Sequence, residues 1–245
     1  MKILFLFLVL VLGFGHLAGC LNQLETDWEF HVIDKEVTVY TLGDITGMET
    51  SIIKETVIKK EIKKVEWEGV LATEFGEGDT INFISEDRYL VSIPSGVDVI
   101  VAFKKDENPI SEMDGGPLKI AVDPNYGCKC NWLKYVKIVE FVDSEESFSV
   151  YGNVFNLLTF SPRDLNLHYG LQEVIQNTYT KAPLQFILDK AICKENATTI
   201  VFVTEEGRVS YSLEEIEGKN LVVIYDNGFH IEGLNIRNLK GIKIE

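Results

Sequence analysis

The 245-residue chain is 46% apolar and 25% charged, which supplies core material for one or two globular domains and excludes collagen-like and disordered classes. Lys and Arg number 23 against 38 Asp and Glu, a net charge of −15. Such a surface has no chain-wide attraction for a phosphate backbone, so no nucleic-acid partner is expected.

Residues 1–20 read MKILFLFLVLVLGFGHLAGC: one Lys, then an apolar run interrupted near Gly13 to His16. The run is shorter and more broken than a spanning helix and fits a cleaved export signal. Its end, Leu17-Ala18-Gly19-Cys20, resembles the lipobox of prokaryotic lipoproteins. That resemblance implies a signal peptide over residues 1–20 and lipidation of the Cys20 sulfur. Acyl chains contribute about 0.8 kcal/mol per buried methylene, so two of them hold a soluble domain on a bilayer. The expected partner is therefore the membrane, reached through the lipid, and the expected location is the extracytoplasmic face of the cell membrane. An uncleaved signal-anchor helix is the alternative and leaves residues 21–245 on the same side.

β-branched and aromatic runs predict strands at Val37–Thr41, Thr80–Ser85, Tyr89–Ile93, Val99–Phe103, Ile120–Val122 and Tyr135–Val142. Short helices are expected near Leu71–Phe75 and Pro183–Ile192, where Pro183 suits a first turn. Lys54–Lys64 reads as a charged helix or an edge strand. The polar stretch Asp143-Ser144-Glu145-Glu146-Ser147 separates two units, 21–143 and 148–245. Acidic side chains scattered among the strands read as solvated faces.

Three cysteines follow Cys20, an odd number that cannot pair completely within one chain. Cys128-Lys129-Cys130 is too tight for an ordinary unstrained disulfide, and it lacks the second half of a zinc site. Three readings stay open: buried small residues, one bridge to Cys193, or redox thiols at Cys128 and Cys130. His31, His168 and His230 are isolated, so no metal site is expected. Asn196-Ala197-Thr198 fits the N-glycosylation sequon.

Local patterns recur in order in the two units. Thr80–Asp87 matches Thr199–Glu206, Gly96–Phe103 matches Gly218–Tyr225, and Leu133–Ile138 matches Leu239–Ile244. The first two pairs lie about 120 residues apart and the third about 106, so the second unit is shorter between its second and third matches. There the first unit holds Asp114-Gly115-Gly116-Pro117-Leu118-Lys119 through Cys130.

Trp67-Glu68-Gly69-Val70, Asp87-Arg88-Tyr89-Leu90-Val91-Ser92-Ile93-Pro94, Asn108-Pro109-Ile110, Gly115-Gly116-Pro117-Leu118-Lys119 and Trp132-Leu133 together resemble successive signatures of the sulfite-oxidase-like, molybdopterin-binding domain. The resemblance covers about residues 37–142. It implies a strand-rich α+β fold, here two degenerate copies in tandem. Catalytic members hold molybdenum on a cysteine thiolate between the first strand and the Trp-x-Gly-Val motif. This chain has no cysteine between Asp44 and Trp67, and Asn131 stands where members commonly place a Lys before the Trp.

No catalytic residue is assigned. Gly115, Gly116, Lys119 and Lys129 form the candidate ligand loop, their backbone amides and ammonium groups facing an anion; a plain Gly-Gly-Pro turn is the competing reading. The expectation is a lipid-anchored binding or interaction module without a cofactor, whose ligand is an unidentified protein or a small anion. The alternative is an extracytoplasmic molybdopterin-dependent oxidoreductase with unusual metal ligation.

Overall fold

A computed structural model describes residues 28–58, 61–127 and 129–245. Cys20 and Cys128 lie outside the described residues, as does the whole predicted signal peptide. Among the described residues no helix is long and apolar enough to cross a membrane.

The protein is a strand-rich α+β structure. In chain order the first half contains β1 (Glu29–Ile33), β2 (Val37–Thr41), the one-turn helix α1 (Leu42–Thr46), β3 (Ser51–Ile58), β4 (Ile62–Leu71), β5 (Thr80–Ser85), β6 (Leu90–Pro94), β7 (Val99–Lys105), β8 (Asn108–Pro109), β9 (Lys119–Val122) and β10 (Val136–Val142). The second half contains β11 (Phe148–Gly152), β12 (Leu158–Phe160), a 3-10 segment (Arg163–His168), α2 (Leu171–Gln176), β13 (Lys181–Pro183), α3 (Leu184–Ala191), β14 (Thr199–Thr204), β15 (Gly207–Ser212), α4 (Leu213–Ile216), β16 (Val222–Tyr225), β17 (Phe229–Glu232) and β18 (Leu239–Ile244). Two predicted strands, Val37–Thr41 and Thr80–Ser85, form at the expected bounds. Within Lys54–Lys64, Lys54–Ile58 and Ile62–Lys64 are strand, not helix: β3 is a sheet edge and pairs with β4 from Ser51↔Gly69 to Ile58↔Ile62. Pro183 is the N-cap of α3, one position before the first turn.

The two halves use the same strand arrangement. One sheet runs β2-β1-β10-β5-β6 and its counterpart β12-β11-β18-β14-β15. The first and last long strands of each half pair in parallel, β1 with β10 and β11 with β18, while their other neighbours are antiparallel. Each half adds a second sheet in which a central strand, β7 or β16, is flanked by β4 and β9 or by β13 and β17. The ladders also set the register between halves. Ser85 opposes Val136 before an irregularity in the β5–β10 pair, and Thr204 opposes Leu239 before one in the β14–β18 pair. Val136, not Leu133, thus occupies the place of Leu239, three positions from the register that the matching Leu-Lys pairs predict.

Side-chain alternation explains the layers. On β5, Ile81 and Phe83 enter a core with Phe30, Val101, Ile120, Val139 and Phe141 between the two sheets of the first half. Ile84, from the opposite face, joins Ile33, Leu90 and Ile138 in the core of the second half, against Phe148, Phe160 and Leu165. The core of the second half therefore extends across the junction onto one face of the first-half sheet.

That junction also carries buried polar groups, among them acidic side chains, which the sequence reading placed on solvated faces. Asn82, Glu140 and Asp164 are 0%, 3% and 0% exposed. Asn82 and Glu140 are direct cross-strand neighbours on β5 and β10, and Asp164 reaches them from the second half. Asn82 Nδ2 donates to Thr159 O at 2.8 Å and to Asp164 Oδ2 at 2.7 Å, and Ser161 Oγ donates to Glu140 Oε1 at 2.7 Å. Among the described residues no N–H or neutral hydroxyl group donates to Glu140 Oε2 or Asp164 Oδ1. Burial raises the pKa of both carboxyls, and the Asp164 charge pushes Glu140 further up. A proton retained on Glu140 and donated to Asp164 satisfies the pair.

Candidate functional site

The segment between β7 and β10 folds as a turn followed by a strand. A 3-10 turn at Glu112–Asp114, capped by Ser111, ends on Gly115 in the left-handed region at φ 96°. Gly116 lies so close to Ile110 that a Cβ there would come within 2.0 Å of the Ile110 carbonyl oxygen. A cis Gly116-Pro117 bond then leads into β9. The backbone amides of Gly115 and Gly116 donate to Glu112 O at 3.0 Å and to Ser111 O at 2.9 Å. They are used within the turn, so they do not serve an anion. The Gly-Gly-Pro motif has a backbone role, and the expectation of a ligand loop at Gly115 and Gly116 is corrected to that extent.

The two lysines behave differently. Lys119 and Lys129 line one cleft of about 460 Å³, together with Lys63, Lys105, Lys134, Trp67 and Trp132. Its five lysines face three carboxylates, those of Glu55, Glu61 and Asp114, in a chain whose overall charge is strongly negative. Three of the lysines are neutralised: Lys63 by Asp106 at 3.1 Å, Lys105 by Asp114 at 2.7 Å, and Lys129 by the buried Glu55 carboxylate, which also accepts from Trp67 Nε1 at 3.0 Å. Among the described residues neither Lys119 nor Lys134 forms an ion pair. These two stand directly opposite each other across an isolated antiparallel bridge. Like charges placed so are mutually destabilising.

Trp67 and Trp132 form the apolar wall, packed edge-to-face at 5.8 Å between ring centroids. The Lys119 ammonium lies 4.4 Å from the Trp67 centroid and 5.7 Å from that of Trp132. Such contacts favour the cation. Partial burial of Lys119 and the charge on Lys134 act the other way and lower its pKa, with burial the larger cause. The result is a half-buried cation beside two rings, with the Glu55 and Asp114 carboxylates near enough to raise its pKa but no ion pair among the described residues.

Sequence reasoning named Lys119 and Lys129 but not Lys134, Lys105 or Lys63. Their convergence depends on register, since Lys105 opposes Trp67 and Lys119 opposes Lys134 only once the strands pair. In the second half Ile224 opposes His230, just as Ala102 opposes Lys119 in the first, and the lysine pair has no counterpart there.

The cysteines depart from two expectations. Cys130 is exposed and disulfide-bonded, with its partner outside the described residues, so it is neither a buried filler nor a free redox thiol. Cys193 is a free thiol whose backbone forms an isolated β-bridge with Val154 in the second half, so the alternative of a disulfide to Cys193 does not form. Burial raises the Cys193 pKa, which keeps it protonated. Asn196 is exposed in a turn, where its Oδ1 accepts from Asn153 Nδ2 at 3.0 Å.

No family model and no curated protein matches the chain. Among solved structures it is similar to the crystal structure of the sulfane dehydrogenase SoxCD from Paracoccus pantotrophus, at 12% identity over 89% of this chain and 75% of that one, with a TM-score of 0.40.

Proposed function

We propose that this is a binding protein without molybdenum chemistry, anchored by a lipid on Cys20 at the extracytoplasmic face of the membrane, which takes a small anionic ligand in the Trp67–Trp132 cleft. The observation that carries the reading is the Lys119–Lys134 pair: two cations facing each other on one bridge, with no ion-pair partner among the described residues. A fold gains nothing from that repulsion unless an anion joins it. The matching strand order of the two halves supports an origin in two copies of one sulfite-oxidase-like unit, of which only the first keeps the basic cleft.

The donor set does not suit the metal that the sequence resemblance implies. A soft thiolate is the ligand such a metal needs. Among the described residues the polar groups of the cleft are amines, carboxylates and indoles, and its one sulfur is the uncharged Met113 thioether, not a thiolate. Cys130 is committed to a disulfide, and Cys193 lines a different cleft beside Leu188 and Ile216.

Titration with inorganic pyrophosphate, followed by tryptophan fluorescence, tests the reading. Saturable binding that weakens at least tenfold in Lys119→Gln is the expected result. Identical titrations of the two proteins would refute the cleft assignment, and stoichiometric molybdenum or tungsten in the purified protein would refute the absence of metal chemistry.

A further inference from the structure

Phe155, Leu157 and Ile192 are 63%, 62% and 44% exposed. They stand on two adjoining loops, one before β12 and one after α3. Phe155 N donates to Ile192 O at 2.9 Å and Asn156 N to Ala191 O at 3.0 Å, so the loops are held side by side. Ile192 has φ 55°, a region that disfavours β-branched residues, and the fold keeps an exposed Ile there against its backbone preference. Grouped apolar side chains left in solvent mark a contact with a protein or a membrane. The charge around them is balanced: Arg88, Lys190 and Lys194 stand against Asp87, Asp189 and Glu195, in a chain whose net charge is −15. The patch therefore lacks the negative excess that an anionic bilayer repels. The Lys194 ammonium lies 5.6 Å from the Phe155 ring centroid, and a lysine so placed can lay its stem on apolar surface and keep its head in water.

The chain enters the fold at this same end. β1 runs parallel to β10 with His31 beside Ile138, so the start of β1 lies beside Val136, and Trp28 Nε1 donates to Val136 O at 3.0 Å. Val136 opposes Ser85, where the β5–β6 turn begins. That turn reaches the patch: Tyr89 OH donates to Asn156 Oδ1 at 3.0 Å, and Lys190 Nζ donates to Arg88 O at 2.5 Å. Trp28 follows Cys20 by eight residues. A chain spans at most about 3.6 Å per residue, so the tether is no longer than about 29 Å. A lipid on Cys20 thus holds this end of the fold, and the patch with it, close to the bilayer.

We infer that the Phe155, Leu157 and Ile192 patch docks on the lipid bilayer, an inference that rests on the anchor proposed at Cys20. The three side chains enter the boundary between headgroups and acyl chains, and Lys190 and Lys194 stay at the headgroups. A tether alone leaves the fold free to turn over the membrane, whereas the docked patch fixes which face meets it.

The test is tryptophan quenching by bromine-labelled acyl chains, with the full chain reconstituted in vesicles of phosphatidylcholine and phosphatidylglycerol. Phe155→Trp reports on the patch. Val209→Trp is the control, an exposed position on β15, at the sheet edge opposite β12. The emission that Phe155→Trp adds to wild type should fall at least twofold in brominated vesicles, and that of Val209→Trp should not change. Absence of added quenching at residue 155 would overturn the proposal, and so would equal quenching at both positions, which reports only nearness to the bilayer. A blue shift of the Phe155→Trp emission without quenching, present only at high protein-to-lipid ratio, would overturn it in favour of a second copy of the chain. The intact mass of the same sample reads acylation separately. An acylated chain without added quenching overturns the docking alone, whereas added quenching in an unacylated chain supports the docking and refutes the anchor.

Discussion

Replacing Glu140 by glutamine mimics its protonated state without its titration. In the folded protein burial and the Asp164 charge hold the Glu140 pKa well above the ordinary carboxylate value, whereas in the unfolded chain the group ionises near that value. A folded pKa raised in this way contributes stability that is fully present below the unfolded pKa and is lost as pH rises toward the folded one. Each unit of pH in that window costs about 1.4 kcal/mol per proton. As pH rises above the ordinary carboxylate range the wild type should therefore lose stability that Glu140→Gln retains. The substitution suits the site: Oε1 still accepts from Ser161 Oγ, and Nε2 donates to Asp164. Urea unfolding at pH 5, 6, 7 and 8, with midpoints and slopes extrapolated to water, gives the difference directly. A difference between variant and wild type that does not change over this range would refute the shared proton.

Two further substitutions probe the junction and the turn. Asn82→Ala removes one donor each from Thr159 O and Asp164 Oδ2, leaving them the bonds from Ser92 Oγ and Ser161 N, at a cost of about 1–3 kcal/mol in urea unfolding. A cost below about 0.5 kcal/mol would show that the network contributes little. Gly116→Ala places a methyl against the Ile110 carbonyl and should destabilise by about 2 kcal/mol or more. An unchanged thermal midpoint would contradict the close approach on which the turn reading rests.

Much of the fold was legible because its strands are dense in β-branched residues and bounded by turn residues. Thr80–Ser85 and Val37–Thr41 needed nothing further. The helices at Leu42–Thr46 and Leu213–Ile216 were missed, although both carry a capping box, Thr41 with Asp44 and Ser212 with Glu215. They are one turn long, too short for an apolar period to show. The third repeat register was misplaced because the Leu-Lys likeness of Leu133 and Leu239 outweighed a ladder irregularity that no local pattern reveals. Glu140 illustrates a different failure. Within Val-Lys-Ile-Val-Glu-Phe-Val it reads as one more solvated acid, and only the packing of Asp164 and Ser161 from the other half buries it. Lys119 was found because it follows a turn motif, but its opposition to Lys134 is a property of strand pairing.

That opposition is the centre of the functional account, and it sets stability against binding in a single measurement: the urea midpoint of wild type and Lys134→Gln with and without pyrophosphate. Without ligand the variant should be the more stable, by about 0.2–1 kcal/mol, because a like-charged pair has been relieved. With ligand at a hundred times its dissociation constant the wild type should gain about 2.7 kcal/mol, while the variant moves far less. A variant less stable than wild type without ligand, or equally stabilised by pyrophosphate, would contradict the claim that these lysines are held together for an anion.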